Sequence, residues 1–267
     1  MANNIRIRQG VHNLDSAAVA AFRSAYQKMM AINDNRGYGW FAGLHGIPNH
    51  WCWHHEQSLH FPGQILELFL PWHRAYLYNF EMAMRDQVPG VTLPWWDWTL
   101  RPPRQNGIPD IFATPQVNGQ PNPLFGFHMN IPTARPPINR STGRHPGPVS
   151  QLPAQSDVDD VLTGNSDFSS FTEALEGSLH DRVHGWVSGD MGQIPVAAYD
   201  PIFWSHHCMV DRLWWLWQVR NGNGNMPPDM LDVVLAPFTF KVRDVLNINA
   251  LGYDNGAAQT VVPIGGS

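Results

Sequence analysis

Cysteine is nearly missing from this chain. Only Cys52 and Cys208 occur in 267 residues, which excludes a fold held by a disulfide framework and leaves the protein tolerant of a reducing compartment. Charge is sparse as well: 15% of residues are charged and the net charge is −5. The basic footprint that neutralises phosphates is therefore absent, and nucleic acid is excluded as a partner. No run of 18 apolar residues is present, and the opening MANNIRIRQG lacks the apolar stretch that directs secretion. These absences predict a soluble protein with no membrane partner, cytoplasmic as given, for which export alongside a partner stays open. The length suits one domain with one sizeable core.

Histidine and tryptophan are in excess, with 13 and 12 residues. Excess histidine asks for a metal, because neutral imidazole is the commonest protein ligand of transition metals. Helical periodicity places these histidines. In LDSAAVAAFRSAYQKMM, Asp15 is an N-cap and Val19, Phe22, Tyr26 and Met29 recur on one face. In FLPWHRAYLYNFEMAMRDQVPG, Pro71 sits in the first turn, His73, Leu77, Phe80 and Met84 share a face, and Pro89 and Gly90 end the helix. Residues 101–155 are dense in Pro, Gly and Asn without a period. They predict a long ordered loop and not a linker, because the histidine clusters on its two sides must meet.

A third helix, FSSFTEALEGSLHDRVHGWV, buries Phe171, Leu175, Leu179 and Val183, with Glu176, His180 and His184 spaced i, i+4, i+8 on a neighbouring face. A fourth begins with Asp200 as N-cap and Pro201 as its first residue, and places His207 and Asp211 one turn apart. Phe238, Phe240 and Val242 alternate with polar residues and predict a short strand. The predicted fold class is mainly α, a four-helix bundle core around a metal site with long irregular loops and minor β.

Two histidines one turn apart, as in HDRVH, carry little by themselves. His180 and His184 gain meaning from DPIFWSHH, which brings a third imidazole from another helix. Three imidazoles leave open coordination positions, and zinc, copper, iron and nickel all accept them. A second set, His45, His54, His55, His60 and His73, lies upstream of the long loop. His50, His55 and His128 read as ordinary polar histidines. One trio would suit a mononuclear zinc hydrolase. Two trios without carboxylate bridges suit a dinuclear copper site, because uncharged ligands keep Cu(I) accessible to O2. Trp95, Trp96, Trp98, Trp214, Trp215 and Trp217 read as core packing, and Trp72 and Trp204 as supports beside the candidate ligands.

The segments FLPWHR at 69–74, LHDRVHGWV at 179–187 and DPIFWSHHCMVDRLW at 200–214 resemble the tyrosinase family, which includes catechol oxidases, o-aminophenol oxidases and molluscan haemocyanins. RQGVHNLDSAAVAAF, with Arg8, is similar to the family's opening, and RDVLNINALGYD, with Tyr253, to its closing tyrosine motif. In the family those ends meet at the base of the core, so the resemblance implies a single bacterial-type catalytic domain over 1–267 without a C-terminal lid domain. It also implies two copper ions per chain. His180, His184 and His207 are the implied ligands of one copper, CuB; His207 is preferred to His206 because the family's ligand falls seven residues after the Asp of the DP motif, here Asp200.

For the other copper, CuA, His45 in LHGIP and His73 in PWHR resemble the first and third ligands. The family places the second ligand nine positions before the third, which here is Gln64. WCWH at 51–54 resembles the family's Cys, any residue, His element, so an insertion makes His54 that ligand, with His60 and His55 in reserve. In some members the cysteine is bonded to the ligand ring, which makes Cys52 a thioether candidate; its alternative is a small buried hydrophobe.

The implied activity is oxidation of o-diphenols and o-aminophenols to quinones by O2, with hydroxylation of monophenols as a further capacity. Small phenols, O2 and a copper-loading helper protein are the implied partners. An O2 carrier of the haemocyanin kind would use the same ligands. Glu176 resembles the acidic residue that holds a water near CuB, with Glu173 in reserve. The residue after the first CuB ligand is commonly Asn in members that hydroxylate monophenols; here Asp181 can accept the same hydrogen bond, and its charge either favours proton removal from a phenol or repels the phenolate. Asp211 is expected to orient an imidazole, the alternative being an ion pair on the helix surface with Arg212 or a neighbour. Ile194, two residues after GDMG, takes the position that gates the copper pocket, where a small aliphatic leaves room for an aromatic ring.

Overall fold

The computed structural model describes residues 5–50, 67–223 and 226–256. Helix α1 (Ser16–Met30) starts where the Asp15 carboxylate accepts the amide of Ala18, and it buries Phe22, Tyr26 and Met29. The apolar α2 (Tyr38–His45) ends on a histidine. Helix α3 (Phe69–Gln87) follows, then α4 (Asp110–Ala113), α5 (Gln155–Gly164), α6 (Phe168–Ala174), α7 (Asp181–Val187) and α8 (Ile202–Asn221). Helix α3 packs on α1 and on α8, with Trp204 stacked on Phe80 at 3.5 Å between centroids. The strands are β1 (Arg6–Ile7), β2 (Gln116–Val117), β3 (Gln120–Pro121), β4 (His128–Ile131), β5 (Ile138–Ser141) and β6 (Tyr253–Asp254). They form three two-stranded ribbons, with β1 parallel to β6 and the β2–β3 and β4–β5 pairs antiparallel. The chain is mainly helical with minor, open β-structure, as its periodicity implies.

Three local expectations are corrected. The third helix does not run as a single α-helix, because a π turn over Leu175–His180 joins α6 to α7. Apolar residues four apart drift around an α-helix by about 40° per step, so Phe171, Leu175, Leu179 and Val183 would spread over a broad arc of a regular helix. The π turn absorbs that drift, and all four are buried. Helix α8 begins at Ile202, with Pro201 as the flanking residue. The Asp200 carboxylate accepts the amide of Ile202 and is held by Arg144 at 2.6 Å. Residues 238–242 form no strand: Val234 and Lys241 make an isolated bridge, and a 3-10 turn covers Val242–Val245. Their alternation comes from packing, with Phe238 against Trp72 and Tyr76 and Phe240 against Tyr78.

The two ends of the described chain meet beneath α3 and α8. Arg8, fully buried, donates to Glu81 at 2.7 Å and to Asp211 at 3.2 Å, and its guanidinium lies 3.9 Å from the centre of the Tyr253 ring. Tyr253 donates its hydroxyl to Asp211 at 2.7 Å. Arg74, directly after His73, donates to the other Asp211 oxygen. This buried network ties β1, α3, α8 and β6 together beneath the histidines. The expected imidazole contact of Asp211 is thus replaced by two arginines and a tyrosine, because one turn past His207 the carboxylate points toward the base of α3.

Candidate metal centre

Histidines from five helical segments converge above that network. His45 ends α2, His73 lies one turn into α3, His180 closes the π turn, His184 is on α7, and His206 and His207 are consecutive on α8. One potential ligand nitrogen from each of His180, His184, His206 and His207 lies within 4.8 Å of the others; His45, His73 and His207 form a second such group. His207 belongs to both, so the two clusters adjoin. Its ring stacks on His73 at 4.3 Å, and its Nε2 lies 3.2 Å from Nε2 of His184.

Four of these rings are turned by a bond at Nδ1. His45 meets the Ile194 carbonyl at 3.2 Å, His73 the Phe69 carbonyl at 2.8 Å, and His184 the Met191 carbonyl at 2.6 Å. His180 meets the Asp181 carboxylate at 3.0 Å. A carbonyl only accepts, so Nδ1 of the first three must carry the proton, which directs the Nε2 lone pair inward. Burial and the neighbouring rings hold His206 and His207 well below the usual imidazole range. Both rings are therefore neutral, the form that ligates a metal. Phe69 sits edge-on to His180 and Phe203 lies tilted over His207 at 4.1 Å, walling the clusters with apolar rings. Among the described residues both clusters offer imidazole nitrogen alone, a donor set that fits copper or zinc and disfavours magnesium or manganese.

A cleft of about 400 Å³ leads to the clusters, lined by His45, Glu176, His180, Asp181, His184 and Ile194 among others. Glu176 is buried within it, Asp181 is exposed, and Ile194 stands at the mouth with 58% of its surface open. Glu173 is exposed and is not among the lining residues. His50 and His128 are exposed, consistent with ordinary polar roles, and His128 bonds Asn139. Cys52, His54, His55, His60 and Gln64 lie outside the described residues. Trp72 sits edge-on to His73 and donates to the Ala236 carbonyl, while Trp204 donates to the Tyr38 hydroxyl.

Sequence reasoning missed one contact and two participants. The contact of Asp181 with the adjacent His180 gives this residue an orienting position besides its place in the cleft. His206, set aside by the family's spacing, lies in the second cluster. The half-buried Glu67 has a carboxyl pushed up to about 7, chiefly by burial and further by Glu173 and Glu176, against a hydrogen bond with Ser169 that lowers it. A carboxylate inside the apolar run ILELFLPW was the available signal for Glu67.

Imidazoles gathered in a helical core, four of them turned by a bond at Nδ1, define a protein that binds metal between its helices. Residues 35–220 match the common central domain of tyrosinase, and the chain belongs to the tyrosinase family, with a core of the bacterial type. It is 36% identical to the tyrosinase of Streptomyces glaucescens over 196 residues, covering 62% of this chain and 69% of that protein. Its fold is that of the tyrosinase from Burkholderia thailandensis, with a TM-score of 0.74 at 22% identity over 97% of this chain and 76% of the other. A functional unit of octopus hemocyanin shares the fold with a TM-score of 0.73 at 24% identity, over 93% and 67% of the two chains. Among the described residues no helix is long and apolar enough to cross a membrane.

Proposed function

We propose that this chain is a dinuclear copper oxidase that uses O2 to oxidise o-diphenols and o-aminophenols to quinones, with slower hydroxylation of simple monophenols. The observation that carries the reading is the pair of adjoining, carboxylate-free imidazole clusters in a member of the tyrosinase family. His45, His73 and His54 are assigned to CuA, and His180, His184 and His207 to CuB. Two copper ions supply the electron-accepting centre at which O2 is activated.

The rest is done by the chain. Carbonyls of Phe69, Met191 and Ile194 fix the imidazole orientations. Phe69 and Phe203 keep the clusters apolar, which strengthens electrostatic contacts inside. The cleft has room for one aromatic ring, and the short Ile194 at its mouth leaves the approach open. Glu176, buried beside His180, is placed to accept the proton that a phenol gives up on binding. Asp181 holds His180 at Nδ1 and adds negative charge at the same rim. Residues 1–267 read as one catalytic domain, supported by a continuous core from Val11 to Tyr253. A copper-loading helper belongs to the proposal as a partner that speeds copper entry to the buried His206 and His207 without being required for it, since the cleft leads to the clusters.

The open cleft favours an oxidase over an O2 carrier, and a zinc hydrolase would leave the His45–His73–His207 group unexplained. Quinone formation from catechol by the copper-loaded protein tests the reading: His73→Ala and His207→Ala should each abolish it. A protein with two bound coppers and no catechol oxidation would be a carrier.

A further inference from the structure

We propose that His206 is a metal-holding ligand of the second cluster, binding copper together with His180 and His184 while the site is being loaded. The inference rests on reading the clusters as metal sites.

Successive residues on an α-helix point in different directions, and on α8 His206 belongs to the second cluster alone while His207 reaches both. His207 stacks on His73 with rings 4.3 Å apart and 15° from parallel. His206 stacks on His180 with rings 5.2 Å apart and 15° from parallel, and meets the His184 ring edge-on at 4.8 Å. The described residues alone therefore carry two complete trios, His45–His73–His207 and His180–His184–His206, each with ligand nitrogens within 4.8 Å of one another.

His206 has no other evident work. It is fully buried, and neither of its ring nitrogens has a partner among the described residues. Its remaining ring neighbour is Trp98, 6.3 Å away. A buried polar group left without a bond destabilises the fold, a penalty that phenylalanine at this position would avoid. A ligand role accounts for an imidazole here. Three imidazoles without carboxylate suit Cu(I), and the His206 trio can take an ion while His207 is still engaged with His73.

The test uses the full chain, freed of metal, with Cu(I) under anaerobic conditions as the probe. Uptake rate, final copper content and melting temperature are compared for wild type, His206→Phe, His207→Phe and the double variant. His206→Phe should melt no lower than wild type when metal-free, yet take up copper at least tenfold more slowly. His207→Phe should still bind copper at the second cluster, and the double variant should not. Should His206→Phe fail to fold, His206→Asn replaces it in the rate comparison. Uptake within twofold of wild type in the His206 variant overturns the proposal. So does equal copper binding by His207→Phe and the double variant. A metal-free His206→Phe that melts well below wild type while loading at the normal rate would make His206 a packing residue. A wild type that binds no copper would overturn this proposal together with the oxidase reading, whereas any of the earlier failures leaves the oxidase reading standing.

Discussion

Replacing Asp211 by asparagine removes the negative charge that Arg8 and Arg74 share. Arg8 retains Glu81, so its loss is partial. Arg74 is fully buried and keeps Gln218, the carbonyls of Asp211, Val245 and Leu246 and the face of the Trp214 ring, none of them carrying a charge. Leaving a buried charge without its partner costs about 3–5 kcal/mol; asparagine still accepts some hydrogen bonds, which places Asp211→Asn near ~3 kcal/mol. For a chain of this size each kcal/mol lowers the melting temperature by roughly 2–4 °C, so a fall of about 6–12 °C is expected. Tyr253→Phe removes one hydrogen bond to the same carboxylate and should cost only about 1 kcal/mol. Arg74 directly follows His73, and Asp211 lies one turn past His207, so Asp211→Asn should also lower copper retention. Thermal melts of the metal-free and copper-loaded forms, with metal content measured alongside, provide the assay. A melting temperature within about 2 °C of wild type would mean that the network does not hold the two helices under the site.

Four further outcomes follow from the cleft and the segment before α3. Asp181→Ala should depress monophenol turnover well beyond diphenol turnover if its charge assists proton removal; equal losses would assign it only to orienting His180. The raised Glu67 carboxyl means that the folded state resists ionisation there, so its contribution is fully present below about pH 4.5 and is lost as pH rises through about 7. A shift of that size corresponds to ~3 kcal/mol if unscreened, and solvent around a half-buried group reduces it to about 1 kcal/mol. Glu67→Gln should then match wild type at pH 4.5 and exceed it by that amount at pH 8, and a stability difference that does not change with pH would sink this account. His54→Ala should abolish oxidase activity while His60→Ala leaves most of it, and the reverse pattern would move the ligand. A Cys52 thioether would make the intact protein two hydrogens lighter, a difference absent from Cys52→Ser.

Where local rules decide, the sequence was legible. Asp15 caps α1 as its position demands, and the i, i+4 pair His180 and His184 faces one cleft although the turn before it is wider than an α turn. The π turn itself could not be read, because apolar spacing shows which residues are buried and not how the backbone takes up their drift. Asp211 was misjudged for a related reason: helical spacing placed it one turn from His207, but its direction depended on Arg8 and Tyr253 from opposite ends of the chain. Phe238, Phe240 and Val242 copied a strand's alternation while packing on α3 and its surroundings. His206 was hidden by its neighbour, since a motif names one ligand of an adjacent pair and only coordinates show where the other ring lies.

Copper content and catechol oxidation measured on one preparation test the central claim most directly. Metal-free protein is reloaded in steps with copper, or with zinc as a control, and quinone production is followed against metal bound per chain. The account predicts saturation at two coppers per chain, oxidation that rises with the doubly loaded fraction, and none with zinc. Saturation at one metal ion, or full activity with a single copper, would contradict a dinuclear site.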